Sequence, residues 1–228
     1  MIHMRNICKT YDTGAVALDN VNIDIAKGEF VFIVGASGAG QSTFIKMLFR
    51  EELPTSGKLL VNGHDVINMD RKEVPYLRRG LGVIFQDYRL LPDKTVFENV
   101  AFAMQVIEAP RRIMQRSVNA VLDVVGLRDK YRSFPSQLSG GEQQRVAIAR
   151  AIVNDPAIVI ADEPTGNLDP ETSWEIMDIF QRINKAGTTI VMATHDRNIV
   201  DAMKKRVIAI EDGRIVRDQL RGGYGYEA

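Results

Sequence analysis

Phe30-Val31-Phe32-Ile33-Val34-Gly35-Ala36-Ser37-Gly38-Ala39-Gly40-Gln41-Ser42-Thr43-Phe44-Ile45-Lys46-Met47-Leu48 is the stretch that decides the architecture of this chain. Residues 30–34 are an unbroken apolar run ending in glycine, as buried strands in α/β proteins are. A glycine-rich loop follows, and residues 42–49 continue as a helix. Strand, glycine loop and helix in that order form a phosphate-binding pattern. Glycines let the backbone wrap closely around a phosphate with its N–H groups pointing inward. The helix N-terminus adds a favourable dipole. Gly35, Ser37, Gly38, Ala39, Gly40, Gln41, Ser42 and Thr43 are therefore candidate phosphate ligands, and the Ser42 hydroxyl is placed to reach Mg²⁺. An ordinary glycine-rich turn would look similar, so the rest of the chain has to decide.

The pattern has one departure, because Gln41 stands where lysine is expected. Its amide can still donate hydrogen bonds, but it carries no charge. A charge-assisted hydrogen bond contributes roughly 1.5–3 kcal/mol, so its loss should weaken hold on the outer phosphates by roughly 10- to 150-fold. The expectation is weak nucleotide binding or poor turnover. Every other position of the pattern is intact, which favours an introduced substitution over a natural one.

Working outward, residues 4–11 and 21–25 alternate as β-strands, and 58–61 and 81–85 read as further strands. From 95 to 126 the apolar spacing is helical, and 142–153 is another helix. Strands return at 158–161 and 188–193, separated by a helix over 172–183. Residues 206–210 and 214–217 form a hairpin around Asp212-Gly213. The Lys204-Lys205-Arg206 run reads as a solvated helix end. The tail 221–228, rich in Gly and Tyr, should fray. This makes one α/β unit, with a core at about 1–86 and 156–220 and a helical insert at about 87–155.

Parallel strands deliver their C-terminal ends to one edge, where ligands bind. The strand 158–161 ends in Asp162-Glu163. Asp162 would hold Mg²⁺, and Glu163 would be the general base that polarises an attacking water. His195 ends the next strand, near the same phosphate, and Gln86 ends the strand 81–85, where it could bridge Mg²⁺ or water to the helical lobe. Taken singly, each has a plain alternative: a solvated acidic strand end, or a satisfied polar group.

Leu138-Ser139-Gly140-Gly141-Glu142-Gln143-Gln144-Arg145 is the most specific segment. Ser139, Gly140, Gly141 and Glu142 place a second anion site at a helix start, although Ser139 would also serve as a plain N-cap. This segment resembles the signature motif of the ABC ATPase superfamily. The loop, Gln86, the signature, Asp162-Glu163, Asn167-Leu168-Asp169 and His195 stand in that family's order over nearly the whole chain. The resemblance implies a P-loop NTPase fold with a RecA-like core, an antiparallel β lobe and a helical subdomain. It also implies ATP and Mg²⁺ as ligands, Tyr11 stacked on adenine, and Asp169 in a loop that communicates across a dimer. That dimer would be head-to-tail, with each ATP between residues 35–42 of one copy and 139–142 of the other.

Tyr88-Arg89-Leu90-Leu91-Pro92, Ser133-Phe134-Pro135, the stretch 161–169 and Trp174-Glu175-Ile176-Met177 resemble the bacterial cell-division ATPases of the superfamily. Those are similar to the lipoprotein-release and macrolide-export ATPases, which share Pro-Thr-Gly-Asn-Leu-Asp. The resemblance implies a polytopic membrane partner that controls cell-wall hydrolases, and a place at the inner face of the cell membrane. Tyr88, Leu90 and Leu91 would lie near that partner or pack inside the helical lobe. A transport ATPase and a subunit that binds without hydrolysing are the competing readings.

Composition fits this picture. The 228 residues suffice for one large domain, and 45% apolar with 25% charged is a globular mix. Lys+Arg and Asp+Glu both number 29, so no basic excess points to nucleic acid. Cys8 is the only cysteine, which excludes an intrachain disulfide and any Cys-based metal cluster. No apolar run approaches the ~20 residues of a membrane span, so any membrane role works through a partner. DNA-repair and translation members of the superfamily carry two nucleotide domains or long coiled-coil insertions, and neither is present here.

Overall fold

The computed structural model describes residues 1–225. Two sheets organise it. The first is antiparallel, in the order β2-β1-β4-β5, from β1 (Ile2–Thr10), β2 (Val16–Ile25), β4 (Ser56–Val61) and β5 (His64–Asp65). The second has the order β10-β9-β3-β8-β7-β6. It is built from β3 (Phe30–Val34), β6 (Leu81–Ile84), β7 (Ile158–Asp162), β8 (Thr189–Ala193), β9 (Arg206–Glu211) and β10 (Arg214–Gln219). It is parallel except for β10, which turns back on β9.

The period-two alternation of the parallel strands divides the interior in two. Phe30, Phe32 and Val34 of β3 enter one core, with Val159 and Ala161 of β7 and Ile190 and Met192 of β8. Val31 and Ile33, Ile158 and Ile160, and Val191 and Ala193 enter the other. The first core is closed by α3 (Val96–Gln105), α4 (Arg111–Val124), α5 (Gly140–Ile152) and α6 (Pro170–Lys185). The second is closed by α1 (Gln41–Leu48) and the antiparallel sheet. Residues buried on both faces must all be apolar, which is why these strands read as unbroken runs.

Between β6 and β7 the described chain is helical, with two short 3-10 turns at Arg128–Lys130 and Pro135–Gln137. The helical pattern expected over 95–126 breaks into α3 and α4. Glu108 takes a left-handed φ of 57° and Pro110 precedes α4, so one helix cannot run through. The short α2 (Val74–Arg79), β5 and α7 (Arg197–Met203) escape sequence reading because none spans two full periods of an apolar pattern. The basic run is only half a helix end. Lys204 caps α7, but Arg206 already starts β9 and pairs with Glu29 and Asp218, both at 2.7 Å.

The tail does not fray as far as Gly225. The Gly222 N–H donates to the Lys205 carbonyl at 3.1 Å, and the Tyr224 N–H donates to Asp201 Oδ1 at 2.5 Å. The rest of the expectation, for residues 226–228, lies outside the described residues.

Candidate functional site

Four helices close their own N-termini. Thr95, Ser139, Asp169 and Asp196 each accept a backbone N–H three residues on, capping α3, α5, α6 and α7. The helix after the glycine loop does not. Its N-cap is Gly40, which has no side chain to accept, and its first turn contains no acidic residue. Helices α2 and α4 also lack a side-chain cap, but only here does the open helix start follow a glycine loop, so its leading N–H groups can face an anion.

The glycines are required by space. A β-carbon on Gly35 would sit 2.3 Å from the Ile210 carbonyl oxygen. One on Gly40 would sit 2.4 Å from the Ala17 carbonyl oxygen, and Gly40 has φ 115°. The Gln41 side chain lies back along the loop, with Nε2 2.9 Å from where a Gly35 β-carbon would be. Tyr11 reaches the same helix, its hydroxyl 3.0 Å from Thr43 Oγ1, and Lys9 lies over its ring.

The parallel register brings three strand ends into one row. Ile33 pairs with Ala193, and Ala193 pairs with Asp162. The loop after β3, His195 after β8 and the acidic pair after β7 therefore share one edge. His195 Nδ1 lies 2.8 Å from Glu163 Oε1, within ion-pair distance. Glu163 takes φ 50°, a left-handed conformation that costs a non-glycine residue free energy and that clusters at functional sites. Its N–H donates to the Ala193 carbonyl and its carbonyl accepts from the Gly166 N–H, which hold that conformation.

Burial, and next the neighbouring Glu163 charge, push the Asp162 carboxyl above its ordinary value, while Lys46 and Arg89 act the other way. Folding thus disfavours the charged form of Asp162 relative to the unfolded chain. This group's contribution to stability falls as pH rises above the unfolded value, and at neutral pH its charge opposes folding. Asp162→Asn should therefore melt higher than the parent chain in EDTA and lose the extra stabilisation that Mg-nucleotide gives the parent. Thermal melts in EDTA and in Mg-ADP check this; a lower melting point for the Asn chain in EDTA would contradict it. Among the described residues no three His, Cys, Asp or Glu side chains cluster to hold a metal by themselves. Ser42 and Asp162 fit Mg²⁺, a hard cation that takes oxygen donors and characteristically uses one or two carboxylates together with substrate phosphates.

Gln86 leaves β6 toward the segment after Glu163. Its carbonyl accepts from Asn167 Nδ2 at 3.3 Å, and its Nε2 lies 3.0 Å from a β-carbon built on Gly166. Asp169 caps α6 through the Thr172 N–H at 3.0 Å, and the Thr172 side chain, then its N–H, hold the carboxyl below the usual range. Ser139 and Glu142 form a reciprocal cap at the start of α5, and the Ser139 N–H holds the Glu142 carboxyl down. Gly140 and Gly141 lie against Tyr88 and Thr172, so this second helix start is set beside α6 and Tyr88.

Sequence reasoning missed Arg150. It donates to the Arg89 carbonyl at 2.6 Å and the Tyr88 carbonyl at 2.7 Å. Both residues have left-handed φ, 59° at Tyr88 and 48° at Arg89, so Arg150 fixes the strained turn after Gln86. An arginine among Ala147, Ile148, Ala149 and Ala151 on a buried helix was the available signal.

A glycine loop at an uncapped helix start, facing an acidic strand end, defines a class that sequence similarity also reports. Residues 18–166 match the ABC transporter family, and the chain belongs to it. It is 59% identical over 225 residues to the cell division ATP-binding protein FtsE of Bacillus subtilis, covering 99% of each. The Escherichia coli protein of that name is 46% identical over 227 residues, covering all of both chains. Among solved structures, the ATP-binding cassette MJ0796, a dimer in a post-hydrolysis state bound to ADP and Pi, is 35% identical with a TM-score of 0.88. That match covers 98% of this chain and 100% of the other. The fold is thus the mixed α/β ABC ATPase fold expected above.

Proposed function

We propose that this chain is the ATP-binding and hydrolysing subunit of a cell-division ABC complex, which passes an ATP-driven change of shape to a membrane partner controlling cell-wall hydrolysis. The observation that carries the catalytic part is the row Ile33, Ala193, Asp162, which sets the glycine loop, His195 and Glu163 on one sheet edge. The full-length likeness to the FtsE proteins supports the cell-division part.

The residues divide the work as follows. The N–H groups of 35–43 cradle the phosphates, and Tyr11 stands beside α1 to meet the base. Ser42, Asp162 and Gln86 hold Mg²⁺, which when bound neutralises charge developing on the phosphates. Glu163 accepts the proton of the attacking water, and His195 orients the Glu163 carboxylate through the 2.8 Å contact. A second copy, head-to-tail, brings residues 139–142 over the nucleotide, and Asp169 lies at that junction. The single nucleotide-binding domain has its core at about 1–86 and 156–220 and its helical lobe at about 87–155.

No helix among the described residues is long and apolar enough to cross a membrane. We place the chain at the inner face of the cell membrane, held by its partner. A groove of about 570 Å³ lined by Leu81, Val83, Phe85, Leu91, Phe102 and Val106 opens beside the Arg150-held turn. Phe102 and Val106 are half-exposed there, and we assign this groove to the membrane partner. Of the three residues singled out in the sequence, Leu91 lines the groove, Leu90 packs on the core and Tyr88 meets Gly140.

Mg-ATP turnover of this chain beside a Gln41→Lys chain tests the reading. The lysine chain should be roughly 10- to 150-fold better at limiting ATP, the worth of one charge-assisted hydrogen bond. Equal rates would remove the charge argument for the loop. Binding without turnover in both chains would replace the hydrolase by a subunit that binds only.

A further inference from the structure

The C-terminal segment after β10 is fastened to the back of the nucleotide site. Beyond Gln219 the chain reverses and passes α7 and β9. A β-carbon on Gly222 would come within 3.0 Å of Val207 Cβ, and one on Gly223 within 2.8 Å of Asp201 Oδ1, so the two glycines let the chain lie flat. The Tyr224 carbonyl accepts from Arg217 Nη2 at 2.8 Å, and Arg217 Nη1 donates to the Gly225 carbonyl. Asp201 takes the Tyr224 N–H. Contacts from α7 and from β10 thus fix one residue, and its ring packs against the core beneath the parallel sheet.

That residue points at the site. The Tyr224 hydroxyl donates to the carbonyl of Gly35, the first residue of the phosphate loop, at 3.4 Å. Arg197 lies over the Tyr224 ring with its guanidinium carbon 5.1 Å from the centroid. Arg197 opens α7 two residues after His195, and Asp196 between them caps that helix. One aromatic side chain therefore touches both the start of the phosphate loop and the start of the helix that carries on from His195. The Gly35 carbonyl cannot be braced by a side chain of its own residue, because the Ile210 carbonyl leaves no room for a β-carbon.

We propose that Tyr224 is a positioning residue for the nucleotide site, holding the Gly35 end of the phosphate loop and the His195–α7 junction in fixed relation. This rests on the proposed nucleotide-binding role of residues 35–43. The hydroxyl restrains the peptide from which the loop amides fan out, and the ring restrains Arg197. Loss of either leaves the fold closed but lets the loop sample conformations in which its N–H groups do not converge. Affinity for phosphate then falls by the fraction of time the loop is out of place.

Two measurements on the full chain separate this from a merely structural role. Amide hydrogen exchange of the nucleotide-free protein reads the loop directly and needs no nucleotide. Tyr224→Phe should speed exchange over residues 35–42 about 2- to 10-fold, the worth of one neutral hydrogen bond, while α3 and α4 stay unchanged. Tyr224→Ala should do so more strongly and extend the change into α7. Calorimetric titration with Mg-ADP, in the parent and Gln41→Lys backgrounds, should show Kd raised about 2- to 10-fold by Tyr224→Phe with the melting temperature nearly unmoved. Unchanged loop exchange in both variants would overturn the proposal, as would faster loop exchange with unchanged Mg-ADP affinity. Faster loop exchange in a protein that binds no Mg-ADP in either background would leave the brace standing and remove the nucleotide reading instead.

Discussion

Glu163→Gln, made in the Gln41→Lys chain, should lower Mg-ATP turnover by about 10²- to 10⁴-fold, the usual worth of a positioned general base. Nucleotide affinity should stay within a few-fold of the parent. Glutamine keeps the length and the carbonyl oxygen of glutamate, so an oxygen can keep its place 2.8 Å from His195 Nδ1. What disappears is the ability to take a proton from water. The left-handed φ of Glu163 is common to both residues, so the backbone of the site stays in place. Steady-state turnover and equilibrium titration with Mg-ATP, run on the same preparations, give the two numbers needed. A fall in affinity matching the fall in rate would show that Glu163 holds the nucleotide instead of activating water. A fall below tenfold in rate would move the base to another residue, and His195 would be examined next.

Gly40→Ala should be the most damaging single-methyl change in the loop. Gly40 has φ 115°, where residues with a β-carbon are strained by about 1–3 kcal/mol. The new methyl would also meet the Ala17 carbonyl oxygen at 2.4 Å and Leu18 Cδ2 at 3.0 Å, and forced overpacking of this kind costs a further 1–3 kcal/mol or so. A melting temperature lower by roughly 5–20 °C follows for a chain of this size. Gly80→Ala is the matched control. Gly80 has a negative φ of −83°, and the nearest atom to its added carbon is 3.5 Å away. A Gly40→Ala chain that melts with the control would mean that the Ala17 strand yields easily and that the loop is softer than its contacts indicate.

The loop, the acidic pair and the signature were legible because their chemistry is local in sequence. A strand ends, a glycine turn follows, and a helix begins within a dozen residues. The convergence of β3, β7 and β8 was legible too, since unbroken apolar runs mean parallel strands and parallel strands share an edge. What stayed hidden depends on distant partners. Arg150 stands out in the sequence only as an arginine in an apolar helix, and its role shows only when the carbonyls of Tyr88 and Arg89, some sixty residues earlier, are placed beside it. The glycine- and tyrosine-rich tail looked loose because its partners Asp201, Arg217 and Gly35 are not its neighbours in sequence. Tyr11 was legible only through family likeness, since nothing in its local sequence foretells the 3.0 Å contact with Thr43. The break at 106–110 was marked by Pro110, and a strict reading of proline would have placed it.

The hold of Arg150 on the turn after Gln86 has a mechanical consequence. Helix α5 begins with Gly140 and Gly141 and carries Arg150 ten residues later, about 15 Å along its axis. Its far end grips two carbonyls beside the groove lined by Leu81, Phe85 and Phe102. A helix of this length is stiff, so in the proposed assembly α5 would act as a push-rod. In the head-to-tail dimer proposed above, a movement at the first turn of α5 would reach the groove without passing through the parallel sheet. The sheet edge would then stay rigid for chemistry while the rod moves, so that in the proposed complex hydrolysis and force delivery need not share the same moving parts.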